Sequence, residues 1–117
     1  MADVVPTWSS PTSAPGWTVQ RGRWYYKATV TAGNINTIFM PISERPFTIR
    51  LVPGVAGSMA LQTSIDNIDN IMADTSTDWQ AWAYGTVTAI TTDVLLSAVV
   101  AIKVTATTTD GVILMVA

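Results

Sequence analysis

Apolar side chains recur at every second position through much of the chain, and this period of two restricts the fold more than any other feature. In residues 23–30, the set Trp24, Tyr26, Ala28 and Val30 alternates with mostly polar neighbours. Comparable alternation occurs in three further segments, 47–51, 59–63 and 100–105. Because successive side chains of a strand point to opposite faces, this pattern is typical of strands with one buried face.

Two other segments, 35–42 and 112–116, are apolar at nearly every position. Such runs are typical of central strands, or of strands covered by a partner. Only residues 65–72 show apolar residues three apart, so one short helical turn fits there. The short strands therefore predict an all-β fold, a single antiparallel β-sandwich that is jelly-roll-like, with about eight strands. We assign it to residues 17–117.

Turn-forming residues lie where the predicted strands must reverse. The run from Pro53 to Gly57 separates two alternating segments, and Asp110-Gly111 predicts a hairpin between two more. Both features support several short strands joined by tight connections.

The first 16 residues differ from the rest, because they hold three of the six prolines among serines and threonines. Residues 1–16 therefore predict an extended N-terminal arm without a strand. Trp8 lies inside this arm and Trp17 closes it. Their rings either dock on a partner, where a buried Trp contributes strongly, or fold back onto their own domain. If the arm binds a partner, its removal is expected to weaken that binding at little cost to the stability of the domain.

The chain has no Cys and no His. Disulfides, Cys/His zinc sites and catalytic triads that need either residue are thereby excluded. Among the carboxylates, Asp66, Asp69, Asp74 and Asp78 form the main cluster, but their spacing does not match a calcium-binding EF-hand loop. We therefore expect no enzyme activity, no metal and no cofactor.

Charged residues make up only 12% of the chain, about half the usual share, and the net charge is −2. Arg21, Arg23 and Lys27 form the one basic cluster, interleaved with aromatic residues. A strand would place all three on one face, which could grip phosphates, meet an acidic protein surface or face water. Because affinity for nucleic acid depends on positive charge, we expect no nucleic-acid partner and assign this face to a protein partner.

The mean hydropathy of +0.35 raises the question of a membrane segment. The longest apolar run, 94–102, is too short to cross a bilayer, which takes about 20 residues in a helix. Residues 1–6 lack the basic and apolar regions of a signal peptide. We expect no membrane partner.

The five tryptophans also allow a sugar-binding surface, because aromatic rings stack on sugar rings. Strand alternation, however, puts Trp79 on the face opposite Trp82 and Tyr84, so a flat platform of three rings is not predicted there. Packing in the core or between subunits is the alternative for these residues.

The order of elements from residue 47 onward carries a resemblance. A strand, a tight turn and a strand occupy 48–64. They are followed by four short segments: Trp79 to Trp82, Gly85 to Ala89, Thr91 to Asp93, and 99–106. This order resembles small β-sandwich virion proteins of tailed bacteriophages, including capsid decoration (cement) proteins and head-fibre modules. The resemblance covers residues 47–117 and not the N-terminal arm.

The resemblance implies a structural subunit that binds the outer surface of a phage capsid, with the major capsid protein as partner and a homotrimer as the common assembly. It implies assembly in the host cytoplasm and a final location on the virion. A carbohydrate- or receptor-binding module of a phage fibre or tail is the alternative. The candidate partner-binding residues are Trp8, Trp17, Arg21, Arg23 and Lys27.

Overall fold

The computed structural model describes residues 2–6, 14–41, 45–95 and 99–117. Within them the chain forms ten strands and one short helix. The strands are β1 (Ala2–Val4), β2 (Thr18–Gln20), β3 (Arg23–Val30), β4 (Asn34–Phe39), β5 (Phe47–Val52), β6 (Ser58–Ser64), β7 (Gln80–Ala81), β8 (Thr91–Leu95), β9 (Ala101–Thr107) and β10 (Gly111–Val116). The helix, α1, comprises Ile68–Met72 and confirms the helical turn predicted in 65–72. No helix in these ranges has both the length and the apolar character that a membrane crossing requires.

The strands form two five-stranded sheets, which confirms the predicted β-sandwich. Sheet A has the order β1-β4-β9-β6-β7, and sheet B has the order β2-β3-β10-β5-β8. If β3 to β10 are renumbered 1 to 8, the strand order of sheet A without β1 is 2-7-4-5, and that of sheet B without β2 is 1-8-3-6. This order is that of a jelly roll, because from β3 onward successive strands alternate between the two sheets, except for β6 and β7, which share sheet A. The described pairings are antiparallel except that of β1, which lies parallel to β4.

The crossing between sheets explains one wrong prediction. Asp110-Gly111 does not close a hairpin, because β9 lies in sheet A and β10 lies in sheet B. The Asp110 carboxylate accepts a hydrogen bond of 2.8 Å from the Ala32 amide, which ties this turn to the β3–β4 connection. Thr108 has a positive φ of 77°, which helps the chain to change sheets.

The core lies between the two sheets and follows the predicted alternation. Along β3, residues 24, 26 and 28 are half-buried against the core while their neighbours are exposed. Ile49 and Leu51 of β5 are fully buried, as are Leu61 of β6 and Ile113 of β10. Because 112–116 and residues 35–39 of the segment 35–42 lie in strands with a neighbour on each side, the prediction of central strands is confirmed there. The strand β4 ends at Phe39, so Met40 and Pro41 do not continue it, and Ile42 lies outside the described residues.

Trp17 lies in this core, with only 6% of its surface exposed. Its indole N–H donates a 2.7 Å hydrogen bond to the Phe39 carbonyl of β4 in sheet A. Its ring packs against Tyr26 and Phe47 of sheet B, with centroids 5.2 and 5.4 Å apart. Of the two alternatives for this ring, the structure shows folding back onto its own domain.

The described parts of residues 1–16 are attached to the sandwich. β1 pairs with β4, and Ala14 is buried in the core. The expectation of an arm without a strand is therefore wrong for residues 2–4, where pairing with an open sheet edge outweighs the weak local pattern. Deleting residues 1–16 would also expose the edge of β4, so the expectation of little cost to stability is withdrawn. Trp8 lies outside the described residues, and the division at residue 16 stays a prediction.

We predict that Trp17→Ala lowers the free energy of unfolding by about 3–5 kcal/mol, because it leaves a cavity where the two sheets meet. Trp17→Phe keeps a ring but leaves the Phe39 carbonyl without its partner, so its cost should be lower, about 1–3 kcal/mol. Urea unfolding followed by circular dichroism measures both. Val19→Ala, an exposed change on β2, is the control. An alanine variant as stable as that control would contradict the role given to Trp17.

Candidate functional site

The outward surface of sheet B carries the candidate site, and strand register defines it. Tyr25 of β3 lies opposite Val116 of β10, which lies opposite Thr48 of β5. Register partners in neighbouring strands share a face. The adjacent outward row is formed in the same way by three residues of these strands, Lys27, Leu114 and Arg50. We call these two rows together with Arg23 the basic sheet face.

The basic sheet face is open to a partner. Arg23, Tyr25, Lys27 and Arg50 are exposed, with Tyr25 at 39% of its surface. Leu114, Val116 and Thr48 are half-buried between them. A shallow groove of about 480 Å³ runs over these strands, lined by both rows and by Gly16 and Thr18. The surface thus combines an aromatic ring, an aliphatic floor and cationic side chains.

The charge of this face has one sign. Three of the six cations of the chain, Arg23, Lys27 and Arg50, lie on it, and none of its positions is Asp or Glu. Within the described ranges, no salt bridge neutralises any of these three cations. Arg50 Nε donates a 2.9 Å hydrogen bond to Thr92 Oγ1 on β8, which orients the guanidinium. The face is therefore positive although the whole chain is negative.

The structure brings together only some of the predicted site residues. Arg23 and Lys27 lie on the basic sheet face, as the alternation on β3 predicts. Arg21 is exposed in the turn between β2 and β3 with a φ of 50°, so it does not continue the strand and its predicted place on the strand face is wrong. Trp17 is buried in the core of its own domain, so its ring is not part of the exposed surface.

Sequence reasoning missed Arg50, Leu114 and Val116 as site residues. In the local sequence pattern, Arg50 is one of the polar positions that alternate with apolar ones in β5. That pattern does not indicate that β10 lies between β5 and β3. A signal did exist for β10, because an apolar residue at every position of 112–116 leaves one apolar row facing outward. This row lies between Arg50 and Lys27 only because sheet B has the jelly-roll strand order.

The acidic cluster serves the connection between β6 and β7. Asp66 accepts hydrogen bonds from Ser76 Oγ (2.7 Å) and from the Asn67 amide (2.8 Å). Asp78 accepts one from the Ile65 amide (2.9 Å). The hydrogen bond from Ser76 is the main reason that the pKa of Asp66 lies below its ordinary value. These two carboxylates thus stabilise the connection between β6 and β7 through hydrogen bonds within it.

A third member of the cluster, Asp74, lies in the turn after α1 and contacts sheet A. Asp74 forms a 3.5 Å ion pair with Lys103, whose ammonium group lies 4.4 Å from the ring centroid of Trp79. Across the described ranges, no three Asp or Glu side chains come close enough together to hold a metal ion. Asp74 therefore connects the turn after α1 to β9 of sheet A.

The aromatic residues of 79–84 do not form a flat platform. Trp82 is buried, and its ring packs 4.9 Å from that of Tyr84, while Trp79 lies under Lys103. A hydrogen bond to Asp93 raises the pKa of Tyr84. Because only Tyr84 of these rings is exposed, the segment presents a single ring to solvent.

Comparison with known proteins finds no matching family model, no similar curated protein and no similar solved structure.

We predict that Asp66→Asn reduces the pH dependence of the melting temperature at acidic pH. The folded protein holds the pKa of Asp66 below its ordinary value, so the ionised group stabilises the fold above about pH 4. That contribution disappears as the pH falls through the folded pKa. Melting temperatures should therefore fall more steeply for the wild type than for the variant as the pH is lowered from 6 through the acid range. The exposed neighbour Asp69→Asn is the control, and equal slopes for wild type and Asp66→Asn would contradict the prediction.

Proposed function

We propose that the protein is a structural virion subunit that binds the outer surface of a phage capsid through the basic sheet face and stabilises the shell. The observation that carries this proposal is an open apolar strip flanked by three cations on a face that holds no carboxylate. Such a surface suits a protein partner, because apolar contact supplies affinity while charge supplies orientation.

The chemistry of the face favours an acidic protein surface as its partner. Arg23, Lys27 and Arg50 have no carboxylate partner within the described ranges, and a complementary negative surface would supply one. Leu114 and Val116 would lose water on contact, at about 25 cal/mol for each Å² of apolar surface buried. A capsid lattice presents many identical copies of its surface, so even moderate affinity at each site yields a decorated shell.

The resemblance to decoration proteins supports the same proposal from the sequence. It lies in residues 47–117, which provide Arg50, Leu114 and Val116 of the face. A decoration protein needs affinity and symmetry rather than catalysis. Binding to the closed shell alone would stabilise that shell by mass action.

A homotrimer belongs to this proposal. A chain with 12% charged residues exposes more uncharged surface than is usual for a monomer, and contact between copies would cover part of it. Exposed apolar side chains away from the basic sheet face include Ile65 and Ile90. Sedimentation of the isolated protein measures this directly, and a purely monomeric species across micromolar concentrations would contradict it.

The receptor-binding alternative calls for an exposed aromatic cleft. Trp17 and Trp82 are buried, and Trp24 and Trp79 are half-buried. The described tryptophans therefore do not supply such a cleft, and the capsid-binding proposal is the better supported.

We predict that the protein co-sediments with undecorated capsids of its phage and raises their melting temperature. Leu114→Ala should weaken binding about tenfold, because a buried Leu side chain contributes at least about 1.4 kcal/mol. Val55→Ala, which removes an apolar side chain from the exposed β5–β6 turn, is the matched control and should bind like the wild type. Circular dichroism checks that each variant is folded.

Three results would contradict the proposal. The protein could remain in the supernatant with intact capsids, it could be confined to tail fractions of the virion, or Leu114→Ala could decorate capsids as well as the wild type does. Binding to a host glycan without binding to capsids would favour the receptor-binding alternative.

A further inference from the structure

The row formed by Lys27, Leu114 and Arg50 has a geometry of its own within the basic sheet face. Leu114 lies directly opposite both cations, one on each neighbouring strand. Since neighbouring strands lie about 4.8 Å apart, the Cα atoms of Lys27 and Arg50 are separated by about 10 Å across an aliphatic residue. Both cations line the same groove.

The two cations differ in how they are held. Arg50 is oriented by the hydrogen bond from its Nε to Thr92 Oγ1 on β8, which leaves the N–H groups of its two terminal nitrogens as donors. Lys27 is exposed, and its flexible chain ends in a compact charge. One fixed planar donor group and one mobile ammonium group suit a single anionic group that lies between them.

The surroundings of this row identify the kind of anion. The next row consists of Tyr25, Val116 and Thr48, so the floor beside the two cations is aromatic and aliphatic. A phosphate group of a nucleic acid would bring further negative charge and hydrophilic sugar onto this floor, while the whole chain is negative. A carboxylate on an otherwise apolar protein segment matches both rows at once.

We infer that Lys27 and Arg50 form a carboxylate clamp, which holds one Asp or Glu side chain of the partner protein above Leu114. An apolar side chain of the same partner segment then lies against Val116 and Tyr25. The inference rests on the proposed function in taking the partner to be the capsid surface. It adds the chemical identity of the recognised segment, an acidic residue next to an apolar one.

The first experiment measures capsid binding by the double variant Lys27→Gln/Arg50→Gln. We expect about thirtyfold weaker binding and a flatter dependence on salt, because two charge-assisted contacts are lost. The control is Gln62→Glu/Thr107→Glu, which makes the same change of two charge units at exposed positions of sheet A. Wild-type affinity for the Gln variant, or an equal loss for the control, would overturn the clamp and leave the proposed function standing.

The second experiment does not need capsids. The isotope-labelled full chain is titrated with a blocked tetrapeptide of alternating Glu and Leu at millimolar concentration, and amide shifts are recorded by NMR. We expect shifts at Lys27, Arg50, Leu114 and Val116 that are absent with the matching Gln-Leu peptide and absent in the double variant. Equal shifts with the two peptides, or shifts centred on Lys103, would overturn the clamp. If the clamp residues respond while capsids are not bound, the proposed function fails and the clamp remains.

Discussion

The contact of Trp17 with both sheets is the interaction on which the rest of the structure depends. Its indole N–H holds the Phe39 carbonyl of sheet A, while its ring packs against Tyr26 and Phe47 of sheet B. A chain without Cys has no disulfide to join the two sheets, so non-covalent contacts such as these set how the sheets face each other. The inward side of β3 is thereby fixed to the core, and its outward side carries Arg23, Tyr25 and Lys27.

The outer surfaces of the two sheets differ in how far their cationic side chains are engaged within the molecule. The loop after β6 covers one end of sheet A, where Asp74 and Trp79 both contact Lys103. Lys103 is therefore engaged within the molecule. Among the described residues, none forms a comparable cover over the central strands of sheet B, and its cations have no carboxylate partner there. This asymmetry is the physical basis for assigning the binding surface to sheet B.

Much of the fold follows from local pattern, whereas the site follows from topology. The alternation in 23–30 predicts both the buried and the exposed side of β3, and the spacing in 65–72 predicts α1. Asp110-Gly111 misleads, because a turn signal indicates a reversal but not whether the next strand joins the same sheet. Likewise, no local pattern places Leu114 between Lys27 and Arg50, since Leu114 is 64 positions from Arg50 and 87 positions from Lys27 in the sequence. Trp17 illustrates the same limit, because its sequence allows both a docking ring and a core residue.

The central claim is that the basic sheet face is the surface that attaches the protein to its assembly. A cryo-electron microscopy reconstruction of decorated capsids tests it most directly, because it shows which side of the sandwich meets the shell. We predict that β3, β10 and β5 lie against the capsid, with a carboxylate of the capsid protein between Lys27 and Arg50. A reconstruction in which this face points to solvent, while sheet A or the turns contact the shell, would contradict it.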